Sequence, residues 1–153
     1  MIEKTCCFTG HRNIPADRLT YVEMELRKLI MAAVDDGYTH FINGGAAGAD
    51  LLFAAIVMEL KEKGYRLYLE AALPYSNRKK SKDPDFQKIL AACDAVKVIS
   101  EQYNRGCYFA RNRYMVDKSS RIIAVYDGRE SGGTFYTMQY ARTGGRAVQV
   151  IKI

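Results

Sequence analysis

Four short stretches of this chain bring together residue types that handle phosphates and protons. Thr9-Gly10-His11-Arg12 sets a hydroxyl, a flexible backbone, an imidazole and a guanidinium side by side. Arg12 can grip a phosphate through two parallel N–H bonds. His11 can carry a proton near neutral pH. The alternative is that Arg12 pairs with a structural carboxylate and His11 caps a loop. Gly44-Gly45-Ala46-Ala47-Gly48-Ala49-Asp50 is the second stretch. Its glycines let a phosphate or ribose approach the backbone. A helix opening there exposes free N–H groups at the positive end of its dipole. The spacing is not G-x-G-x-x-G, and the alternative is a tight turn with Asp50 as a helix-start carboxylate stabilising by ~1 kcal/mol.

Arg111-Asn112-Arg113 is the third stretch. Asn112 is a poor helix former in mid-helix, which points to a specific hydrogen bond. Arg113 suits a solvated basic face, and Tyr108, Met115 and Val116 are expected to pack inward. Ser131-Gly132-Gly133-Thr134 is the fourth, and it repeats the physics of the second: bare N–H groups beside a hydroxyl. Asp127 and Glu130 are carboxylates close enough in sequence to serve ribose hydroxyls or acid–base work. Asp127-Gly128 reads equally well as an ordinary turn.

Alternating elements must position these stretches. Apolar patterning predicts strands at Lys4–Phe8, His40–Asn43, Arg66–Ala72, Ala95–Ser100, Arg121–Tyr126 and Arg146–Ile151. Helical spacing predicts helices over Asp17–Asp36, Asp50–Lys63, Cys107–Ser119 and Thr134–Arg142. In the first of these the inward stripe reads Leu19, Val22, Leu26, Leu29, Ile30 and Ala33. In the second it reads Leu51, Leu52, Ala55, Ile56 and Leu60. Pro84 marks a further helix start with Asp83 as its cap. Pro74 is expected to halt the third strand. Strands alternating with helices imply an α/β fold: a doubly wound, mainly parallel sheet covered on both faces. In such a sheet ligands bind outside the carboxyl ends of the strands, where all four stretches fall.

At 153 residues the chain is expected to be one domain, residues 1–153. A hydrophobic share of 48% with 26% charged residues is ordinary for a soluble globular protein. No apolar run reaches the length of a membrane span. Met1-Ile2-Glu3-Lys4 leads straight into a strand rather than a signal peptide, so a cytoplasmic location and no membrane partner are expected. Cys6, Cys7, Cys93 and Cys107 form no C-x-x-C pair and no zinc spacing. Cys6 and Cys7 are adjacent in a strand, so they face opposite ways as buried thiols. No His, Cys and carboxylate cluster suggests a metal, and no nucleophile elbow is present. The net charge of +6 permits phosphate or nucleic-acid binding without requiring it. Arg78-Lys79-Lys80-Ser81-Lys82 is most simply a solvated loop, or else a track for a nucleic-acid backbone. Of the tyrosines, Tyr65, Tyr68 and Tyr126 are expected in the core, and His40 is expected to be structural.

Taken together, Cys7-Phe8-Thr9-Gly10-His11-Arg12, the Gly44–Asp50 stretch, Arg111-Asn112-Arg113-Tyr114-Met115-Val116-Asp117, and Tyr126-Asp127-Gly128 followed by Gly132-Gly133-Thr134 resemble the YpsA-like branch of the SLOG superfamily. DprA DNA-processing proteins and LOG proteins belong to the same superfamily. The resemblance spans nearly the whole chain in order. It implies a Rossmann-like fold holding a nucleotide or nucleotide-derived ligand, without settling an activity. By this reading Gly44, Gly45, Gly48, Gly132, Gly133 and Thr134 supply backbone contacts, Arg12 and Arg111 neutralise phosphate, and Asp50 and Asn112 orient ribose or base. Thr9, Gly10, His11 and Asp127 complete the site. LOG-type phosphoribohydrolases carry a glutamate three residues after the threonine of the Gly-Thr turn, where this chain has Thr137. Glu130, Asp127 or Asp50 would have to substitute in an N-glycoside hydrolase. DprA-like binding of single-stranded nucleic acid would use the basic loop and Arg-Asn-Arg. Superfamily relatives often dimerise, so a homodimer stays open, although no strip of sequence marks an interface.

Overall fold

The chain alternates strand and helix from Thr5 onward, and each strand runs parallel to its neighbours. The computed structural model describes residues 4–153. Met1, Ile2 and Glu3, read above as a lead-in to the first strand, lie outside the described residues. The order is β1 (Thr5–Gly10), α1 (Leu19–Asp35), β2 (His40–Asn43), α2 (Ala49–Glu62), β3 (Tyr68–Tyr75), α3 (Pro84–Ala92), β4 (Ala95–Ser100), α4 (Cys107–Asp117), β5 (Arg121–Tyr126), α5 (Gly132–Thr143) and β6 (Ala147–Lys152). Short 3-10 turns occupy Ala16–Arg18 and Ser76–Lys80.

The six strands form one sheet in the order β4-β3-β2-β1-β5-β6, and every pairing is parallel. The chain builds outward from β1 to β4, then returns through α4 to lay β5 on the other side of β1. That reversal is the topological switch point, where the loops after β1 and β5 diverge and leave a crevice. Helices cover both faces, as the doubly wound expectation requires. Cys6 and Phe8 of β1 pack with Val22, Leu26, Ile30, Phe53 and Val57 of α1 and α2. Cys7 points the other way, among Met115 and Val116 of α4 and Ala141 of α5. Burial pushes the Cys7 thiol up to about 12 and raises Cys6 as well, which keeps both protonated near neutral pH.

Several side chains depart from the sequence reading. Leu19 is 47% exposed because α1 begins with it, a turn before the helix meets the sheet. In α2 the buried face is Phe53, Ala54, Ile56, Val57 and Leu60, while Leu51 and Leu52 are half-buried and Ala55 is exposed. β3 does not stop before Pro74. β2 ends at Asn43, paired with Ala71, so Pro74 lies beyond β2 and its missing N–H costs that neighbour no bond. The basic stretch expected as a loop is partly the 3-10 turn Ser76–Lys80. Tyr65 and Tyr68 are exposed, and Tyr126 is half-buried. Tyr68 sits at the amino end of β3 and packs its ring on His40, 4.8 Å between centroids. Asp83 does cap α3, accepting from the Asp85 N–H at 3.0 Å.

Phe53 is the hub of the core. It is fully buried, 5.2 Å from the Phe8 ring and 6.2 Å from Phe41, and so joins α2 to β1 and β2. Phe53→Ala is expected to lower unfolding free energy by about 3–5 kcal/mol in urea titration, without a change in the cooperativity of the transition.

Candidate functional site

The loop after β2 is organised around one residue, Gly44. The Gly44 N–H donates to both carboxylate oxygens of Asp50 at 3.0 Å, and the Ala46 N–H donates to the same carboxylate at 2.9 Å. At the following peptide, Arg111 Nη1 donates to the Gly44 carbonyl at 2.5 Å and lies 3.4 Å from that of Ala72. A Cβ at Gly44 would stand 2.7 Å from Arg111 Nη1 and 2.9 Å from Asp50 Oδ2, so only glycine leaves room for the clamp. Asp50 is buried and Arg111 is 7% exposed. Burial pushes the Asp50 carboxyl up while the facing Arg111 and the two loop N–H groups hold it down. Burial likewise lowers Arg111 against the pull of Asp50.

Fully buried Asn43 supports the same loop, and the sequence reading did not single it out. Its Oδ1 accepts from the Gly45 N–H at 2.9 Å and its Nδ2 donates to the Glu70 carbonyl at 3.0 Å. Gly48 then opens α2 with φ +83°, and a Cβ there would collide with the Arg12 backbone carbonyl. The loops after β1 and β2 therefore touch backbone to backbone.

These loops, α4 and the start of α5 enclose a cavity of about 380 Å³ at the switch point, within the roughly 300–1,000 Å³ of small-molecule sites. Thr9, Gly10, His11, Arg12, Gly44, Asp50, Arg111, Asn112, Gly132, Gly133 and Thr134 all line it. Three expected site residues do not. Gly45 faces α3, where its Cβ would meet the Phe86 ring at 2.7 Å. Gly48 lies beneath Arg12. Asp127 stands behind the wall. Its N–H donates to His11 Nε2 at 3.1 Å, and its carboxylate accepts from Arg129 Nε at 2.9 Å and Nη2 at 2.5 Å. Arg129 holds the Asp127 carboxyl down to about 2.

Arg129, Tyr108, Phe109, Phe8, Ala46 and Met115 also line the cavity, and the sequence reading did not propose them for it. The sequence predicts that Tyr108 packs inward. It is half-buried, with the guanidinium of Arg12 5.5 Å and that of Arg111 5.6 Å from its ring centroid. Its position three residues before Arg111 puts both on one helix face, a signal already present in the spacing.

Hydrogen-bond donors dominate the wall around α5. Ser131 gives this helix no side-chain cap, and Gly132, Gly133 and Thr134 of its first turn line the cavity. Asn112 Oδ1 accepts from Arg111 Nε at 2.8 Å, which turns its amide nitrogen toward Gly133. Among the described residues Arg12 forms no salt bridge, and Arg111 Nη2 has no acceptor. Asp50 is the one carboxylate in the lining, and its oxygens face the loop N–H groups. Thr137 is buried with its hydroxyl donating to the Gly133 carbonyl at 2.7 Å, a bond within α5. Glu130 is exposed and outside the lining.

Asp50→Asn is expected to destabilise by roughly 3 kcal/mol, the scale of lost charged hydrogen bonds with a buried cation left facing them, measured by urea unfolding. Gly48→Ala is expected to cost about 1–3 kcal/mol from backbone strain alone. Desolvation lowers His11 below its ordinary 6.5, with the Asp127 charge opposing. Folded His11 thus binds a proton less readily than unfolded His11. Stability is expected to fall as pH drops below 6.5, and NMR titration of the ring is expected to give a midpoint under that value.

Residues 6–150 match the family model YpsA, described as the YspA SLOG family. A UPF0398 protein of Bacillus pumilus is 27% identical over 129 residues, covering 80% of this chain and 69% of the relative. A UPF0398 protein of Halalkalibacterium halodurans is 27% identical over 139 residues, covering 87% and 71%. Among solved structures, one described as the single-stranded DNA binding mode of DNA processing protein A from Helicobacter pylori aligns with a TM-score of 0.64 at 17% identity, over 95% of this chain and 64% of that one. A protein designated TM1055 aligns with a TM-score of 0.60 at 17% identity, over 94% and 71%. These two share the Rossmann-like fold. No helix among the described residues is long and apolar enough to cross a membrane. With a family model matched along nearly its whole length, the chain belongs to the YpsA family of SLOG proteins.

Proposed function

We propose that the switch-point cavity binds a phosphorylated, nucleotide-type ligand. The observation that carries this reading is the surplus of donors around the start of α5. The uncapped first turn of α5, the Asn112 amide, and the guanidinium groups of Arg12 and Arg111 border one space, and the one carboxylate there is already occupied by the loop. A phosphate supplies acceptors on every side and a compensating charge. The Tyr108 and Phe109 rings give an aromatic wall beside it, suited to a base or sugar. Arg111 contributes charge from below while it clamps Gly44, and Thr9 with His11 shapes the floor at the end of β1.

Binding is favoured over N-glycoside hydrolysis. An oxocarbenium-like transition state needs a carboxylate turned to the sugar. Asp50 is turned to backbone, Asp127 is held by Arg129, Glu130 lies outside, and Thr137 stands where LOG-type enzymes carry glutamate.

Isothermal titration with the common ribonucleoside 5′-monophosphates tests the reading. Arg12→Ala is expected to weaken the best of them by about 1.5–3 kcal/mol, or roughly 10–150-fold. No binding by any nucleotide, or unchanged affinity in Arg12→Ala, would overturn it. Free base released from a bound nucleotide would replace it with the hydrolase reading.

A further inference from the structure

The cavity does not end at Arg12. A second chamber of about 210 Å³ opens on the far side of the Arg12–Tyr108 pair, toward the 3-10 turn Ser76–Lys80. Arg12, Gly44, Ala46, Tyr108 and Arg111 line both chambers, so the two are arms of one trough. Arg78 stands at the outer arm. Its guanidinium lies 5.3 Å from the Phe86 ring centroid, and Nη2 donates to the Gly45 carbonyl at 3.3 Å. Among the described residues it pairs with no carboxylate. Asp83, the one carboxylate lining this arm, accepts from the Asp85 N–H as the cap of α3. Buried Arg111, with Nη2 lacking an acceptor, lies between the arms.

We infer that the trough takes a nucleotide bearing two separate anionic groups, one against Arg12, Arg129 and the start of α5, the other between Arg12 and Arg78. This rests on the binding reading above and adds to it the class of ligand. Arg12 lies where the two groups would both approach it, and Tyr108 is the partition that a bridging sugar or base crosses. A single phosphate would use the inner arm alone and leave Arg78 without a counter-charge. Each charged hydrogen bond gained in the outer arm strengthens binding, so the second anion is expected to tighten affinity at least tenfold.

The test titrates two probes: the best-binding ribonucleoside 5′-monophosphate, and the 5′-phosphorylated dinucleotide of the same base. Wild-type protein is expected to bind the dinucleotide at least tenfold more tightly. Arg78→Ala is expected to erase that gain and leave mononucleotide affinity within twofold. Because Arg78 also packs on Phe86, Arg78→Gln is measured alongside, and thermal melts confirm that both variants fold. Equal affinity for the two probes, or equal losses for both in the Arg78 variants, would overturn the inference while leaving the single-phosphate site standing. Affinity that keeps climbing with longer oligonucleotides would overturn it in favour of a strand-binding groove. Failure of the mononucleotide to bind would overturn the underlying site as well.

Discussion

One glycine carries the architecture of the site. Gly44 gives its N–H to the Asp50 carboxylate and receives Arg111 at its carbonyl, and the absence of a Cβ is what lets both approach. Asp50 belongs to α2 on one face of the sheet and Arg111 to α4 on the other. The clamp therefore ties the two helical layers together at the carboxyl edge of β2. Two buried charged groups would be costly if left to themselves. Here each is satisfied largely by backbone, and the loop between them is held in the shape that opens the cavity. Their burial makes Gly44, Asp50 and Arg111 parts of the scaffold as well as of the wall.

The location of the cavity follows from chain order. β1 lies between β2 and β5, and the chain leaves β1 and β5 toward opposite faces, so nothing fills the space between those two loops. The same geometry aims α5 at that space with its first turn uncapped. Arg12 and Arg111 border the opening, Arg129 and Asp127 balance each other beside it, and Asp50 is engaged with the Gly44 loop. The sign of the potential there is set by which charges are already paired rather than by the number of charged residues.

Much of this was legible in the sequence because parallel strands and amphipathic helices announce themselves by period. The doubly wound sheet, the opposed thiols of Cys6 and Cys7, and the convergence of four polar stretches on one edge all followed from spacing. What was not legible depended on neighbours distant in sequence. Pro74 reads as a strand breaker until β2 is known to stop short of it. Tyr68 reads as core until its place at the amino end of β3 beside His40 is seen. Asp50 reads as a helix-start carboxylate, yet its oxygens bond backward to Gly44 and Ala46. Tyr108 was legible only through its i, i+3 spacing to Arg111, and Arg129 carried no pattern of its own; its part in the cavity comes from the fold that brings the β5–α5 loop against β1.

Gly48 makes one more thing follow. Its backbone rests directly on the carbonyl of Arg12, whereas Gly37 and Gly64, in the turns at the opposite edge of the sheet, would meet nothing with an added Cβ. The loops after β1 and β2 are thus clamped together, and the turns after α1 and α2 are free. A residue inserted after α1 or α2 has open space to bulge into. A residue inserted after β1 or β2 would push one loop through the other. Length variation in proteins built on this plan should accumulate in the turns after α1 and α2, and the loops after β1 and β2 should keep their length even where their residues change.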